Sequence, residues 1–320
     1  MRFYAVILLV LLAFFSCTTE NKSKVDVSNI DIDFSISRFE VDFYNADRES
    51  LPKLKATYPY LFPEAFSDSI SLAKIADSQE QELFVETQKV YKDFSDVETQ
   101  LTSLFKHIKY YNPTFKAPNV VTIQSNIDYE SRVIYADSLL LISLDVFLGK
   151  EHPFYADFPK YISENNTKEH LIVAVAEHII GQQIPTSNNR SFMGKMIYEG
   201  KKMALLDWYL PAVSESEKMG YSQEKLQWAV ENEAEIWAYF MENKLLFSTE
   251  TNLNKRFLEN APFSKFYMEQ DNLSPGKIGV WMGWKIVQSY LKHNDVSLEE
   301  FLKKDETELF NQSKYKPKKF

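Results

Sequence analysis

The sequence predicts a predominantly helical α+β fold, built as a single domain with one small sheet. Only 8 of the 320 residues are glycine, against about 7% in average proteins, so few positions suit tight hairpins or glycine-rich phosphate loops. Apolar residues recur at spacings of three and four over most of the second half, which is typical of amphipathic helices. No linker separates two apolar regions. We therefore predict one domain over residues 31–313, followed by a basic tail over residues 314–320.

The N-terminal region has the pattern of a signal peptide. Arg2 supplies a positive charge, and an unbroken run of 13 apolar residues follows it from Phe3 to Phe15. A membrane-spanning helix needs about 20 such residues, so this run is too short to cross a bilayer. Its length suits the apolar segment of a signal peptide. We predict that residues 1–16 are a lipoprotein signal peptide.

The single cysteine, Cys17, stands directly after this apolar run. One cysteine excludes an intrachain disulfide and a zinc site built on cysteines. A small residue, Ser16, followed by cysteine resembles a bacterial lipobox, although Phe14 and Phe15 depart from the usual pattern. We predict lipidation at Cys17, with residues 17–30 forming the lipidated terminus and a tether. The alternative is an ordinary signal peptide in which the cysteine has no role.

The strands are predicted from short alternating or β-branched runs. Apolar and polar residues alternate over residues 32–36 and again over residues 39–43, as expected for half-buried strands. Runs at 119–124, 132–135 and 139–148 are rich in β-branched, aromatic or leucine residues. These three runs are the predicted small sheet.

The helices are predicted from apolar spacing and from capping residues. Residues 79–111 form two helices that meet near Ser95, because Ser95 and Glu98 match a capping box. The other predicted helices cover residues 168–183, 192–209, 222–247, 253–258, 276–293 and 297–303.

Three glycines, Gly276, Gly279 and Gly283, are spaced by three and four residues within the last long predicted helix. Glycine inside a helix costs about 1 kcal/mol relative to alanine, so its presence needs a compensating reason. We predict that these glycines allow a close approach to a neighbouring helix, with Trp281 and Trp284 beside the contact.

The charge pattern limits the possible partners. The formal net charge of −9 argues against nucleic-acid binding, which requires basic surfaces. We therefore predict no nucleic-acid partner.

One helix contains residues that could carry chemistry. Glu177 and His178 lie in the middle of the predicted helix 168–183. In zinc peptidases with the H-E-x-x-H motif, two histidines one turn apart bind the metal and the glutamate acts as general base. If Glu177 is that base, the histidine positions hold Ala176 and Ile180. We therefore predict no metal, no cofactor and no catalytic residue, and the chain is expected not to be an enzyme.

Several segments spread along the chain carry a resemblance to a known family. They are Ala176-Glu177-His178 with Gln182-Gln183, residues 196–201, residues 232–237, residues 261–267, Ser274-Pro275-Gly276, residues 279–284, Ser289-Tyr290 and residues 313–317. In these segments the chain resembles the gliding motility lipoprotein GldB family of Bacteroidota. The resemblance covers nearly the whole mature chain and agrees with the lipobox.

This resemblance implies a membrane-attached lipoprotein of gliding motility that works with other motility and type IX secretion proteins. It also implies a relation to zincin-like metallopeptidases, with a degenerate metal helix at residues 176–180 and Glu199 near the position of a third ligand. We expect a non-catalytic scaffold or adaptor, with Glu177, His178, Glu199 and Trp237 lining any remaining groove. The alternatives are a metal-dependent hydrolase with an atypical site at Glu177, His178 and Glu199, and a lipoprotein that binds glycan through exposed aromatic residues.

The compartment is predicted from the residues after Cys17. Residues 18–22 are mixed in character and include Glu20 and Lys22. In Bacteroidota, an acidic run at this place resembles a signal for export to the cell surface. Since no such run follows Cys17, we expect a lipid-anchored protein on the periplasmic side of a membrane.

Overall fold

The computed structural model describes residues 25–136 and 138–318. The predicted signal peptide, the predicted lipidation site Cys17 and the first part of the predicted tether lie outside these residues. Helices hold 55% of the residues and strands 6%, which confirms the predominantly helical α+β fold. Within the described part of the chain, no helix is long and apolar enough to span a membrane.

A four-stranded sheet forms the first part of the core. Its order is β1 (Ile36–Arg38), β2 (Asn119–Ile123), β4 (Leu139–Ser143) and β3 (Val133–Ala136). The first three strands in this order are parallel, and β3 pairs antiparallel with β4. The three runs predicted between residues 119 and 148 are therefore confirmed as strands.

The two faces of the sheet belong to different apolar clusters. Val120 and Leu140 face the main core, whereas Val121 packs into a smaller cluster with Phe43 and Tyr58. This alternation follows from the period of two in a strand. The helices around the sheet are α1 (Phe39–Tyr44), α2 (Leu51–Thr57), α3 (Asp68–Ala76), α4 (Ser78–Tyr91) and α5 (Ser95–Tyr111).

Two details of this part differ from the sequence prediction. Residues 39–43 form helix α1 and not a strand, because Phe39 and Phe43 are one helical turn apart and their rings pack at 5.3 Å. A short alternating run is compatible with the period of a strand and with that of a helix, so the pattern alone does not distinguish the two structures. The predicted capping box at Ser95 is absent, since the N-cap position of α5 is Phe94 and has no side-chain hydrogen bond.

Three long helices form the centre of the molecule: α7 (Lys168–Gln183), α8 (Phe192–Tyr209) and α13 (Ile278–His293). Helix α7 begins at the cap of Thr167, whose hydroxyl accepts a hydrogen bond from the backbone N–H of His170. Most of α7 is apolar on all sides and buried, as expected for a helix in the middle of a core. The remaining helices are α6 (Lys160–Ser163), α9 (Glu215–Met219), α10 (Gln223–Glu231), α11 (Glu233–Glu242), α12 (Asn252–Phe257), α14 (Leu298–Lys303) and α15 (Glu306–Gln312).

Helices α8 and α13 cross in close contact. A Cβ added to Gly283 would lie 1.8 Å from the carbonyl oxygen of Met196, and one added to Gly200 would lie 2.3 Å from the carbonyl carbon of Gly283. The prediction of a close approach is confirmed for Gly283. Gly276 is different, because it precedes the helix, which begins at Ile278.

The predicted helix 222–247 is divided into α10 and α11. Ser222 does cap its start, by accepting a hydrogen bond from the backbone N–H of Lys225. The break occurs at Asn232, whose side-chain amide donates to the carbonyl of Trp228. A polar side chain that binds a nearby carbonyl competes with continued helical hydrogen bonding. Helix α11 then ends at Glu242 and not at residue 247.

Candidate functional site

A cleft of about 280 Å³ lies where α7, α8 and the start of α13 meet, and we call it the central cleft. Its walls combine apolar side chains with a few charged ones. The residues that line it are Glu177, Ile180, Gly181, Glu199, Lys202, Met203, Leu206, Leu258, Asn260, Lys277 and Val280.

Helices α7 and α8 supply the two carboxylates of the central cleft. Glu177 is half-buried on α7, and one of its oxygens lies 3.5 Å from a guanidinium nitrogen of Arg132. Glu199 is half-buried on α8, where the ammonium of Lys202 donates to both of its oxygens at 2.9 and 3.0 Å. Each carboxylate therefore has a cation of its own beside it.

Lys277 supplies a third cation and is the residue directly before the start of α13. Its backbone is left-handed, with φ of 55°, a conformation that is uncommon for residues other than glycine. Its side chain is half-buried. Within the described residues, its ammonium makes no hydrogen bond and no ion pair, in contrast to Lys202 and Arg132.

The backbone before and after Lys277 is fixed by buried polar contacts. The hydroxyl of Ser264 donates to the carbonyl of Pro275 and accepts from the backbone N–H of Ile278. The hydroxyl of Tyr221 donates to the carbonyl of Gly276. A Cβ at position 276 would lie 2.1 Å from the carbonyl oxygen of Ala261, so only glycine fits there. These contacts hold Lys277 in its left-handed conformation.

The electrostatics of the central cleft act mainly on Lys277. Burial lowers the pKa of its ammonium, because the charged form loses hydration. The carboxylate of Glu177 raises this pKa, the guanidinium of Arg132 lowers it further, and the carboxylate of Glu199 raises it. Burial is the largest of the four effects, and the pKa of Lys277 is lowered overall.

Two of the four predicted groove residues meet at the central cleft, namely Glu177 and Glu199. His178 is not among its lining residues, and its Nδ1 lies 2.8 Å from the carbonyl oxygen of Ala174 on the same helix. Trp237 lies on α11 and packs against Phe310 and Tyr315, away from the cleft. The position next to Glu177 on a helix is rotated by about 100°, which turns His178 to another side.

The comparison with protein families identifies the chain. The family described as gliding motility protein GldB matches residues 20–317. The chain belongs to the GldB family. Comparison with curated proteins and with solved structures finds no significant match.

The donor set of this GldB-family protein does not fit a zinc site. Within residues 25–136 and 138–318, no group of three or more His, Cys, Asp or Glu side chains is placed to hold a metal ion. Catalytic zinc takes three protein ligands. The positions that would carry histidines beside Glu177 hold Ala176 and Ile180, both fully buried. Lys277 also places a positive charge near the two carboxylates, which disfavours a second cation.

Sequence reasoning did not find Lys277, Lys202 or Arg132. A lone lysine in a sequence carries no signal, because most lysines are exposed. The signal that could have been used is the run Ser274-Pro275-Gly276 before Lys277, since proline and glycine directly before a helix mark a fixed backbone.

Proposed function

We propose that this protein is a membrane-anchored lipoprotein of the gliding motility apparatus, and that it acts as a non-catalytic scaffold or adaptor. Membership of the GldB family establishes the link to gliding motility. The apolar run from Phe3 to Phe15 and the single cysteine at position 17 support the lipid anchor. More than one acyl chain at that cysteine would hold the body stably at a membrane.

One observation carries the non-catalytic assignment. The two carboxylates of the central cleft, Glu177 and Glu199, are each paired with a cation, and Lys277 adds a third positive charge. A carboxylate that activates water in a metal site needs the metal beside it. In the proposed relation to zincin-like peptidases, α7 takes the place of the metal helix and has lost its ligands. The cleft then remains as a binding surface.

The partners that fit this role are other proteins of the motility and type IX secretion machinery. The acidic surface implied by the net charge of −9 disfavours nucleic acid and does not disfavour protein partners. The mixed residues 18–22 support placement on the periplasmic side of the membrane.

Metal content tests the non-catalytic assignment. The full chain, purified from membranes, is dialysed with zinc and with manganese, washed, and analysed by mass spectrometry. We expect no stoichiometric metal. One tightly bound equivalent per chain would overturn the assignment and favour the hydrolase with an atypical site at Glu177, His178 and Glu199.

Fractionation tests the anchor. Cys17→Ala removes the acyl acceptor, so the protein is expected in the soluble fraction or as an unprocessed precursor. The matched control is Ser16→Ala, which keeps a small residue before the cysteine and is expected to stay in the membrane fraction. A Cys17→Ala protein that is processed and membrane-bound like the parent would refute lipidation.

A further inference from the structure

We infer that the central cleft binds the C-terminus of a polypeptide that ends in an apolar side chain, with the ammonium of Lys277 pairing with the terminal carboxylate. This inference rests on the proposed adaptor role, since it names the ligand that the adaptor would hold. It assigns a function to a charged group that the fold itself does not use.

The cleft has the two surfaces that such a ligand requires. One side is apolar and includes Met203, Leu206 and Val280, and the other carries the charged groups. A volume of about 280 Å³ lies just below the ~300–1,000 Å³ of ordinary ligand pockets, so it suits a short chain end. Capture of a terminal carboxylate together with a side-chain pocket is a recurring mode of peptide recognition.

The charges of the cleft favour a carboxylate over an amine. Arg132 and Lys202 are already paired with Glu177 and Glu199, so Lys277 is the cation that remains to be paired within the described residues. A carboxylate beside it completes the pairing, whereas a ligand amine adds like charge. The amide of Asn260 also lines the cleft and can bond to the peptide backbone of the ligand.

The backbone of Lys277 is left-handed, and it is the residue with this conformation that lines the central cleft. Left-handed conformation is unfavourable for L-residues with a Cβ, and glycine adopts it freely. A purely structural position of this kind would be best filled by glycine. Here the glycine precedes it, at position 276, and the contacts of Ser264 and Tyr221 hold the lysine in place. Strain that is maintained by surrounding contacts is characteristic of binding and active sites.

Burial of the ammonium supports the same conclusion. The pKa of Lys277 is lowered mainly by loss of hydration, and a carboxylate in contact would restore the charged form. Binding should therefore be accompanied by proton uptake at alkaline pH. The groups that face this ammonium are Glu177, Arg132 and Glu199.

The first experiment compares two peptides that differ in one group. N-acetyl-alanyl-leucine with a free carboxylate and its C-terminal amide are titrated calorimetrically into the full chain in lipid nanodiscs. A charge-assisted contact predicts that the acid binds about 10- to 100-fold more tightly than the amide. Equal affinity, or no binding of the acid, would overturn the inference. Equal binding of free hexanoate and the peptide acid would also overturn it, because the cleft would then recognise a small carboxylate.

The second experiment uses two lysines with the same backbone conformation. Lys244 also has φ of 55° but is exposed at the end of α11. Lys277→Gly and Lys244→Gly both relieve a left-handed residue, so both variants are expected to unfold at temperatures no lower than the parent. Lys277→Gly and Lys277→Met should both lose the preference for the acid, whereas Lys244→Gly should keep it. A preference that survives in Lys277→Gly would refute the role of this side chain.

The two proposals fail in different ways. A stoichiometric metal would overturn the non-catalytic assignment whatever the peptides do. Equal affinity for acid and amide in a metal-free protein would overturn the ligand assignment alone.

Discussion

Replacing Gly283 with alanine would force apart the two central helices. At the crossing of α8 and α13, a Cβ at position 283 lies 1.8 Å from the carbonyl oxygen of Met196 and 2.4 Å from its carbon. Real Cβ contacts are at least 3.0 Å, and the opposing atoms are backbone, which has no alternative rotamer. The helices must therefore separate by more than an ångström along their contact.

The free energy follows from this displacement. Overpacking a core typically costs 1–3 kcal/mol, and more when no side chain can move aside. The fully buried Trp281 and Trp284 lie beside the crossing and lose packing when the helices separate. The higher helix propensity of alanine returns only about 1 kcal/mol. We expect Gly283→Ala to lower the free energy of unfolding by about 3 kcal/mol or more.

Gly181 provides the control for this prediction. It lies in α7, and a Cβ at this position would have nothing within 4 Å. Gly181→Ala is therefore expected to raise the free energy of unfolding by about 0.5–1 kcal/mol. Urea unfolding followed by tryptophan fluorescence measures both variants. A Gly283→Ala protein within about 0.5 kcal/mol of the parent would refute the argument that this contact is backbone against backbone.

Two further predictions concern buried charged groups. Asp145 is fully buried and accepts hydrogen bonds from the backbone N–H groups of Ser125 and Ile127 at 3.0 and 2.6 Å. Asp145→Asn places an amide N–H₂ opposite a backbone N–H, so the two donors repel each other. Urea unfolding should show a free energy of unfolding that is lower by about 1–3 kcal/mol. An unchanged unfolding midpoint would contradict this prediction. Because the pKa of Lys277 is lowered on folding, the unfolded chain binds more protons between the lowered and the ordinary lysine pKa, and stability rises with pH there. Lys277→Met should flatten this rise when melting temperatures are followed from about pH 7 to about pH 10, and a curve parallel to that of the parent would count against it.

The long central helices could be predicted from the sequence because their apolar pattern extends over several turns. The bounds predicted for α7 and α8 are those observed. The strands β2, β3 and β4 were also predictable, since β-branched and leucine-rich runs of four to five residues favour a buried sheet.

Features that depend on one side chain or on distant contacts were not predictable in the same way. The alternation at residues 39–43 fits a strand as well as the short helix α1 that forms. The break falls at Asn232, whose side-chain amide and backbone N–H both donate to the carbonyl of Trp228. The need for glycine at position 276 arises from contact with Ala261, which lies fifteen residues earlier in the sequence. Periodicity carries no information about such contacts.

The candidate site also contains residues that could be predicted from the sequence and residues that could not. Glu177 and Glu199 were expected near one another from the family resemblance, and both line the central cleft. Lys277 was missed because its importance arises from a left-handed backbone and from partial burial, which only the folded chain creates. His178 is next to Glu177 in sequence but turns to the backbone of its own helix.

The helix crossing and the central cleft are physically coupled. Glu199 lines the cleft and is followed by Gly200, which contacts Gly283 on α13. Lys277 lies six residues before Gly283, about 9 Å along the helix axis. We therefore expect a wider crossing to move the carboxylate of Glu199 relative to the ammonium of Lys277. Gly283→Ala should therefore weaken both the fold and the preference for a peptide carboxylate, whereas Gly181→Ala, on the helix that does not form this crossing, should not weaken the fold.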